Sequence, residues 1–492
     1  MKADPHGATT LYDRVAESIR SQIRRGSLRP GDRMPSLRRV STQQRVSMTT
    51  AIQAYRLLEN QGHLEARPKS GFFVRVPPAE QIPEPRPVAR PGRPAVPVHH
   101  AILREVIAAA SDPENTPFGA ACLSPELYPN RRLNLILKGI LGRRPLHSAR
   151  YTMPPGAEDL RRQIARRSGD MGCSFGPEDV TITSGALEAI NVAIRAVLRP
   201  GHAIAVESPT FFGILQAAAS MGMKVVEIPT DPRTGMDLAA LAGAIRRHRI
   251  KACVVMTNCH NPLGYVLPDE VKKALVELTA RHGVALIEDD IYGDLVFEGP
   301  RPRTAKSYDR EGLVLLCSSY SKILAPGFRV GWIAAGRFRD EVNRLKFIGS
   351  IATPTLSQLA IAEFLESGGY DRHLRRLRAA LAGQLTQIRH AAARYFPEGT
   401  RISRPAGGHM LWVELPGGTD AIRVYRRALA HRISVLPGPI FAAGDRYRNC
   451  LRLNGGYLWS EAHERALLTL GTLCREPGRP GPTRGAKRGE GG

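Results

Sequence analysis

The sequence predicts an α/β fold in two parts, a small N-terminal winged helix-turn-helix and a large domain built on a mostly parallel sheet. Three observations carry this. Residues 10–76 read as helix, helix, helix and hairpin; a proline-dense stretch, 77–98, interrupts the chain; and beyond it Val-, Ile- and Leu-rich runs alternate with amphipathic helical segments. With 492 residues, 42% of them hydrophobic and 23% charged, the chain has a globular composition and exceeds one ordinary domain.

The first helix is LYDRVAESIRSQIRRG, where Leu11, Val15, Ile19 and Ile23 form an apolar stripe closed by Gly26. LRPGDRMPS follows as a turn. SLRRVSTQQRV and SMTTAIQAYRLLENQGHLE are the next two helices, the second with Ser47 as N-cap and Ala51, Ala54, Tyr55 and Leu58 on its buried face. HLEARPKSGFFVRV folds back on itself as two short strands about Lys69, Ser70 and Gly71. Residues 1–76 hold 14 Lys and Arg against 6 Asp and Glu, an excess that suits a nucleic-acid face. The net charge of +25 is spread through an arginine-rich chain, so charge by itself decides little.

PPAEQIPEPRPVARPGRPAVPV (77–98) reads as a semi-stiff, extended connector, and REPGRPGPTRGAKRGEGG (475–492) as a disordered basic tail. Between them, in 99–474, the runs AIAVESP, KVVEIPT, KACVVMTN, VALIEDD and LVLLCSS read as strands of a sheet covered on both faces. Ligands of such sheets lie beyond the C-terminal strand ends, and polar residues recur there.

In CSSYSKILAPGFRVGW, Lys322 stands between serines and a Pro-Gly bend, with Arg329 seven positions on. A partly desolvated lysine is a nucleophile able to form a Schiff base, while Ser319, Ser321 and Arg329 suit a phosphate dianion. That pairing of chemistries suggests pyridoxal 5'-phosphate. In TSGALEAI, Ser184 and the amides of Gly185 and Ala186 open a helix where a phosphate would sit. Phe211 in ESPTFF follows a strand, placed to stack on a flat heterocycle, and Asn261 in NCHNPLG can hydrogen-bond a phenolate oxygen. Asp289 in IEDDIYGDL would keep a pyridine nitrogen protonated, making the ring an electron sink, and Tyr292 would donate to its phenolate.

Two resemblances follow from these residues. The runs GSLRPGDRMPSLR (Gly26 to Arg38) and VSMTT (Val46 to Thr50) resemble the DNA-binding domain of the GntR family. The likeness implies that Arg38, Ser47, Thr49 and Thr50 face DNA, with Lys69 and Gly71 in the wing. Met48 stands where relatives frequently carry arginine and cannot make a bidentate guanine contact. The order of phosphate loop, aromatic, Asn, Asp-x-x-Tyr, Ser-x-x-Lys and Arg resembles the fold type I, aspartate-aminotransferase-like pyridoxal phosphate enzymes. That likeness implies Lys322 as the cofactor lysine, Arg452 in CLRLNGG as the ligand of a substrate carboxylate, Tyr151 in YTMPPG reaching a neighbouring subunit's phosphate, and a small C-terminal α+β subdomain.

The combination resembles the MocR/GabR type of transcriptional regulator. It implies a head-to-tail homodimer on operator DNA, whose large domain senses pyridoxal phosphate or a small amine or amino acid. The alternative is an active aminotransferase of amino acids with an accessory DNA-binding domain, since regulators and enzymes share this residue set. Seven cysteines without a CxxC pair argue against a zinc site or a disulfide scaffold, and no metal is expected. No apolar run is long enough to cross a bilayer and MKADPHGATTLYDR lacks the core of a signal peptide, so a cytoplasmic location is expected.

Overall fold

The computed structural model describes residues 11–24, 27–28, 31–60, 63–67, 70–74, 82–88, 91–97 and 100–475. It divides into two compact units, Met1–Gln81 and Ile82–Gly492. Lys69 and the tail beyond Arg475 lie outside the described residues.

The first unit is α1 (Leu11–Arg24), α2 (Leu37–Gln44), α3 (Met48–Asn60), β1 (Leu64–Arg67) and β2 (Gly71–Val74). The stripe of α1 is buried at Val15, Ala16 and Ile19, while Leu11 at its start is exposed. All four residues expected on the inner face of α3, Ala51, Ala54, Tyr55 and Leu58, are buried. Tyr55 stands edge-on to Phe72 of the hairpin at 5.1 Å and donates its hydroxyl to the Pro35 carbonyl at 2.8 Å, tying wing and turn to α3. Ser47 Oγ accepts the Thr50 N–H at 3.1 Å, the N-cap that its sequence position predicts. The hairpin pairs Leu64 with Val74 and Arg67 with Gly71.

The second unit is organised by an eight-stranded sheet: β3 (Val180–Thr183), followed by helix α4 (Ala186–Val197), then β4 (Ala203–Ser208), β5 (Lys224–Asp231), β6 (Gly235–Met236), β7 (Ala252–Val255), β8 (Ala285–Asp289), β9 (Val314–Ser319) and β10 (Gly331–Ala334). Across the sheet the order is β3-β10-β9-β8-β7-β4-β5-β6, parallel except for β10 and the edge strand β6. The five runs expected as strands are β4, β5, β7, β8 and β9, and their residues are almost wholly buried, as parallel strands between two helical layers must be. A second sheet near the C-terminus holds β11 (Met410–Glu414) beside β12 (Cys450–Asn454), with Trp412 opposite Arg452.

The described residues of the proline-rich connector, 82–88 and 91–97, form no helix, and they do not hang free. From Ile82 onward the connector is fixed to the second unit. Ile402 N–H donates to the Pro83 carbonyl at 2.9 Å, Arg86 N–H to a Glu414 carboxylate oxygen at 2.8 Å, and Gly92 N–H to the Glu227 carbonyl at 2.8 Å. Ala95 and Val225 exchange both backbone bonds. Proline content indicates extension but carries no information about docking; here the non-proline residues supply the N–H groups.

Leu58→Ala should loosen the first unit by about 2–5 kcal/mol, the usual range for emptying a buried leucine site. Hydrogen exchange would then quicken across 11–74 and stay unchanged in the sheet of the second unit.

Candidate cofactor and effector site

Apart from Tyr151, Arg452 and Arg329, which stands two residues ahead of β10, the residues expected at the cofactor site stand at or beyond the C-terminal ends of strands. Ser184 and Gly185 follow β3, Phe211 follows β4, Asn261 follows β7, Tyr292 follows β8 and Lys322 follows β9, while Asp289 and Ser319 are the last residues of β8 and β9. Asp289 lies in register with Cys317, and both Thr183 and Ser319 pair with Gly331 of β10. Gly331 has to be a glycine, because a Cβ there would meet the Gly185 backbone at 2.5 Å.

The phosphate end is an open ring of bonded polar groups. Arg329 Nη2 donates to the Ser184 carbonyl at 2.8 Å and Nη1 to Ser321 Oγ at 3.2 Å. Ser319 Oγ bonds Ser321 Oγ at 2.9 Å and accepts the Ser321 N–H at 3.1 Å. Gly185, at φ +95°, precedes α4, and a Cβ there would strike Arg329 Nη2 at 2.5 Å. Helix N-terminus, guanidinium and hydroxyls converge on one space, and this donor set fits a phosphate. Ser321 belongs to this ring as fully as Ser319.

At the ring end, Asp289, Asn261 and Tyr292 are buried. Burial raises the Asp289 carboxyl to about 7; the Ile291 N–H opposes the rise, neighbouring Asp290 and Glu207 add to it, and Lys322 opposes it. A carboxyl so placed lacks a full cationic partner, and a protonated pyridine nitrogen would be one. Asn261 Oδ1 is buried with no partner among the described residues. Phe211 is half-buried with its ring 4.8 Å from that of Phe212, lying where a side chain on Gly213 would have stood.

Lys322 is half-buried, and its Nζ donates to the Ala121 carbonyl at 2.5 Å. Burial lowers its pKa, Arg452 and Arg329 lower it further, and Cys122 and Asp289 act against them. Arg452 is fully buried, and burial depresses even its guanidinium to about 10. Its Nη2 donates to the Gly119 and Ala120 carbonyls, the latter at 2.7 Å, while Nε and Nη1 have no partner among the described residues. Three consecutive carbonyls, 119 to 121, therefore hold the two cations of the pocket. Backbone carbonyls leave no mark on side-chain patterns, and sequence reasoning missed them. It also missed His409, a single histidine in GGHM whose ring stands edge-on to Tyr292 at 5.4 Å.

Tyr151 lies away from this pocket, 74% exposed, beside the loop that holds Ala352 to Leu356. In the first unit Arg38, Ser47 and Thr49 are exposed, Thr50 is half-buried, and Gly71 sits exposed at φ +95°, where only glycine is comfortable, at the start of β2. Met48 is 39% exposed on the same turn. Among the described residues no cluster of His, Cys, Asp or Glu could hold a metal ion, and no helix is long and apolar enough to cross a membrane.

The Asp289 carboxyl has a sign that can be tested. Its folded pKa lies above the unfolded value of about 4, so the native state holds its full share of stability below pH 4 and loses it as pH rises through 7. Three pKa units correspond to a loss of about 4 kcal/mol at most. In cofactor-free protein the urea midpoint of wild type should fall relative to that of Asp289→Asn between pH 5 and 8; parallel curves would refute the assignment.

The aminotransferase class I and II family matches residues 146–459, and the bacterial regulatory proteins of the gntR family match residues 11–74. Over 472 residues the chain is 40% identical to the HTH-type transcriptional regulator YdcR of Escherichia coli (strain K12), covering 94% of this chain and 99% of that one. Among solved structures it is similar to LysN, the α-aminoadipate aminotransferase of Thermus thermophilus complexed with N-(5'-phosphopyridoxyl)-L-leucine, with TM-score 0.71 and 27% identity over 77% of this chain and 95% of that one. The kynurenine aminotransferase of Pyrococcus horikoshii, solved in complex with PMP, gives TM-score 0.71 and 26% identity over the same 77% of this chain and 95% of its own. Pyridoxal 5'-phosphate is the cofactor of this fold, and the residues of the pocket fit it. The chain belongs to the aminotransferase class I and II family and, with a gntR-type winged helix ahead of that domain, to the MocR type of HTH transcriptional regulator.

Proposed function

We propose that this protein is a pyridoxal-phosphate-dependent, DNA-binding transcriptional regulator whose large domain senses the cofactor or an amino compound. The observation that carries the reading is the union in one chain of an exposed helix-turn-helix tip with a pocket whose two cations, Lys322 and Arg452, rest on backbone carbonyls.

When bound, pyridoxal phosphate supplies an electrophilic carbonyl carbon and an electron-withdrawing ring. Ser184, Gly185, Ala186, Ser319 and Arg329 would hold its phosphate, Phe211 would cover the ring, Asp289 would serve the ring nitrogen, and Asn261 and Tyr292 the phenolate oxygen. Lys322, its pKa lowered by burial, carries an amine that gives up its proton more readily than a free lysine and can take or return one at Nζ. Arg452 offers the N–H groups of two unpartnered nitrogens, Nε and Nη1, to a carboxylate. A carboxylate there binds at Nε and Nη1 and leaves the Nη2 bonds to the Gly119 and Ala120 carbonyls in place, while a change at Lys322 displaces its amine from the Ala121 carbonyl.

This displacement gives the pocket a route to the connector. The 119–122 segment follows the helix His100–Ser111, which the connector precedes, and the connector is itself bonded to Glu414 of β11, the strand paired with the one that carries Arg452. An effector can shift DNA affinity only through such differential contacts.

The functional unit is a head-to-tail homodimer in the cytosol, with Tyr151 reaching the partner's phosphate. Leu146, Tyr151 and Met153 are exposed, as are Phe347, Ile348 and Ile351 ahead of the 352–356 segment that lies beside Tyr151, apolar side chains that a second subunit would cover. Operator contacts come from Arg38, Ser47, Thr49 and Thr50, with Lys69 and Gly71 in the wing. The pocket's residue set also suits transamination. Steady keto-acid production from an amino acid and 2-oxoglutarate at enzyme-like rates would make the protein an aminotransferase first.

Fluorescence anisotropy on DNA from upstream of the protein's own gene should show sequence-dependent binding that shifts with pyridoxal phosphate and weakens steeply with salt, by roughly 0.9 log unit of affinity per log unit of salt for each phosphate contact. A flat salt response, or no specific binding in either form, would overturn the reading. Arg38→Ala should weaken DNA binding about tenfold or more with cofactor uptake unchanged. Lys322→Ala should abolish the visible absorbance of covalently held cofactor with DNA binding by the cofactor-free form retained.

A further inference from the structure

His409 is fully buried at the edge of the pocket, just ahead of β11. Its Nδ1 lies 2.7 Å from Asn454 Oδ1. The Asn454 amide is oriented by its other bonds: Nδ2 donates to the Cys122 carbonyl at 2.9 Å, and Oδ1 accepts the Gly456 N–H at 2.9 Å. An oxygen therefore faces Nδ1, so Nδ1 carries the hydrogen and Nε2 keeps a lone pair. Nε2 is buried and has no partner among the described residues. Burial drives the ring's pKa down to about 3, and Lys322 and Arg452 push the same way against the Asn454 bond, so the imidazole is neutral across the physiological range. A buried acceptor left unpaired is unfavourable by about 1–3 kcal/mol.

Beside this acceptor stand donors: the Lys322 amine, the unpartnered N–H groups on Nε and Nη1 of Arg452, and the Tyr292 hydroxyl. The other acceptors of the pocket, Asp289 and the unpartnered Asn261 Oδ1, are the ones the cofactor ring would take, so a ligand that brings only a carboxylate leaves His409 Nε2 unpaired. We infer that His409 Nε2 is a specificity determinant of the effector pocket, accepting a hydrogen bond from the side chain of an amino acid held by its carboxylate on Arg452. The effector class is thus an amino acid with an O–H or N–H donor on its side chain, preferred over an apolar isostere. This rests on the reading of the pocket as an amino-compound sensor.

The test uses full-length protein loaded with pyridoxal phosphate and titrated with three nearly isosteric pairs: threonine and valine, asparagine and leucine, tyrosine and phenylalanine. Affinity is read by calorimetry and, independently, by the change in cofactor absorbance. At least one pair should show a preference of about tenfold to a hundredfold for the donor-bearing member. His409→Met should reduce that preference to within about threefold, and His409→Gln, which keeps an acceptor, should retain part of it. Equal binding within every pair by the wild type overturns the inference while leaving the sensor standing, and so does a preference that survives His409→Met. If none of the six amino acids binds, the amino-acid branch of the sensor reading falls, and the inference with it, while sensing of the cofactor itself stands on the DNA-binding measurement. The wild-type comparison decides even where a variant fails to fold.

Discussion

Two cations in one buried pocket, with Asp289 the carboxylate among the groups acting on Lys322, set the terms for the rest of the large unit. An ammonium and a guanidinium removed from water need acceptors, and here the peptide backbone provides them. Gly119, Ala120 and Ala121 present three carbonyls in succession, and Asn454 takes the next through Cys122. The segment thereby seams the N-terminal part of the unit to the C-terminal sheet. Its bond to Lys322 lasts while the amine has no other partner, which a phosphate-bearing aldehyde would provide, whereas Arg452 keeps Nη2 on Gly119 and Ala120 with Nε and Nη1 to spare.

The remainder of the site is fixed by rigid elements. Strands buried on both faces have no freedom of register, so the residues that end them arrive at one edge of the sheet together. Glycines let the pieces close: with any side chain at 185 or 331 the phosphate loop, Arg329 and β10 could not occupy the same few ångströms. The acidic end of β8 is the counterpart of the cationic pocket, with Asp289 buried near Lys322 while Asp290 is bound by Arg301 and Asn258.

What could be read beforehand follows a physical division. The positions of Lys322, Asp289, Tyr292 and Asn261 were legible because each stands at or a few positions past the end of a strand whose apolar run is unmistakable, that of Arg329 from its spacing to Lys322, and the winged helix because its period, caps and turn agree. Strand β10 was not, since a short buried run does not reveal its direction, and GWIA is antiparallel to both neighbours. The carbonyls of 119–121 were invisible because the chemistry lies in the backbone. A lone histidine at 409 is by itself ambiguous, and its meaning depends on Asn454, 45 residues away. The connector misled through composition: proline density speaks for extension and says nothing of what the extended chain lies against.

That connector also closes a boundary of the main sheet. Beyond its brief pairing with β6, strand β5 would present open N–H and C=O groups along 225–227, the kind of edge that recruits foreign strands. Residues 92–95 fill it instead, with Gly92 close against Glu227 and Ala95 paired to Val225. The tether of the DNA-binding unit is thus an edge-guard for the sensor. A fragment begun at residue 99 would leave a sticky sheet, so the independent folding unit starts at Ile82, and changes in spacer length have to fall ahead of it.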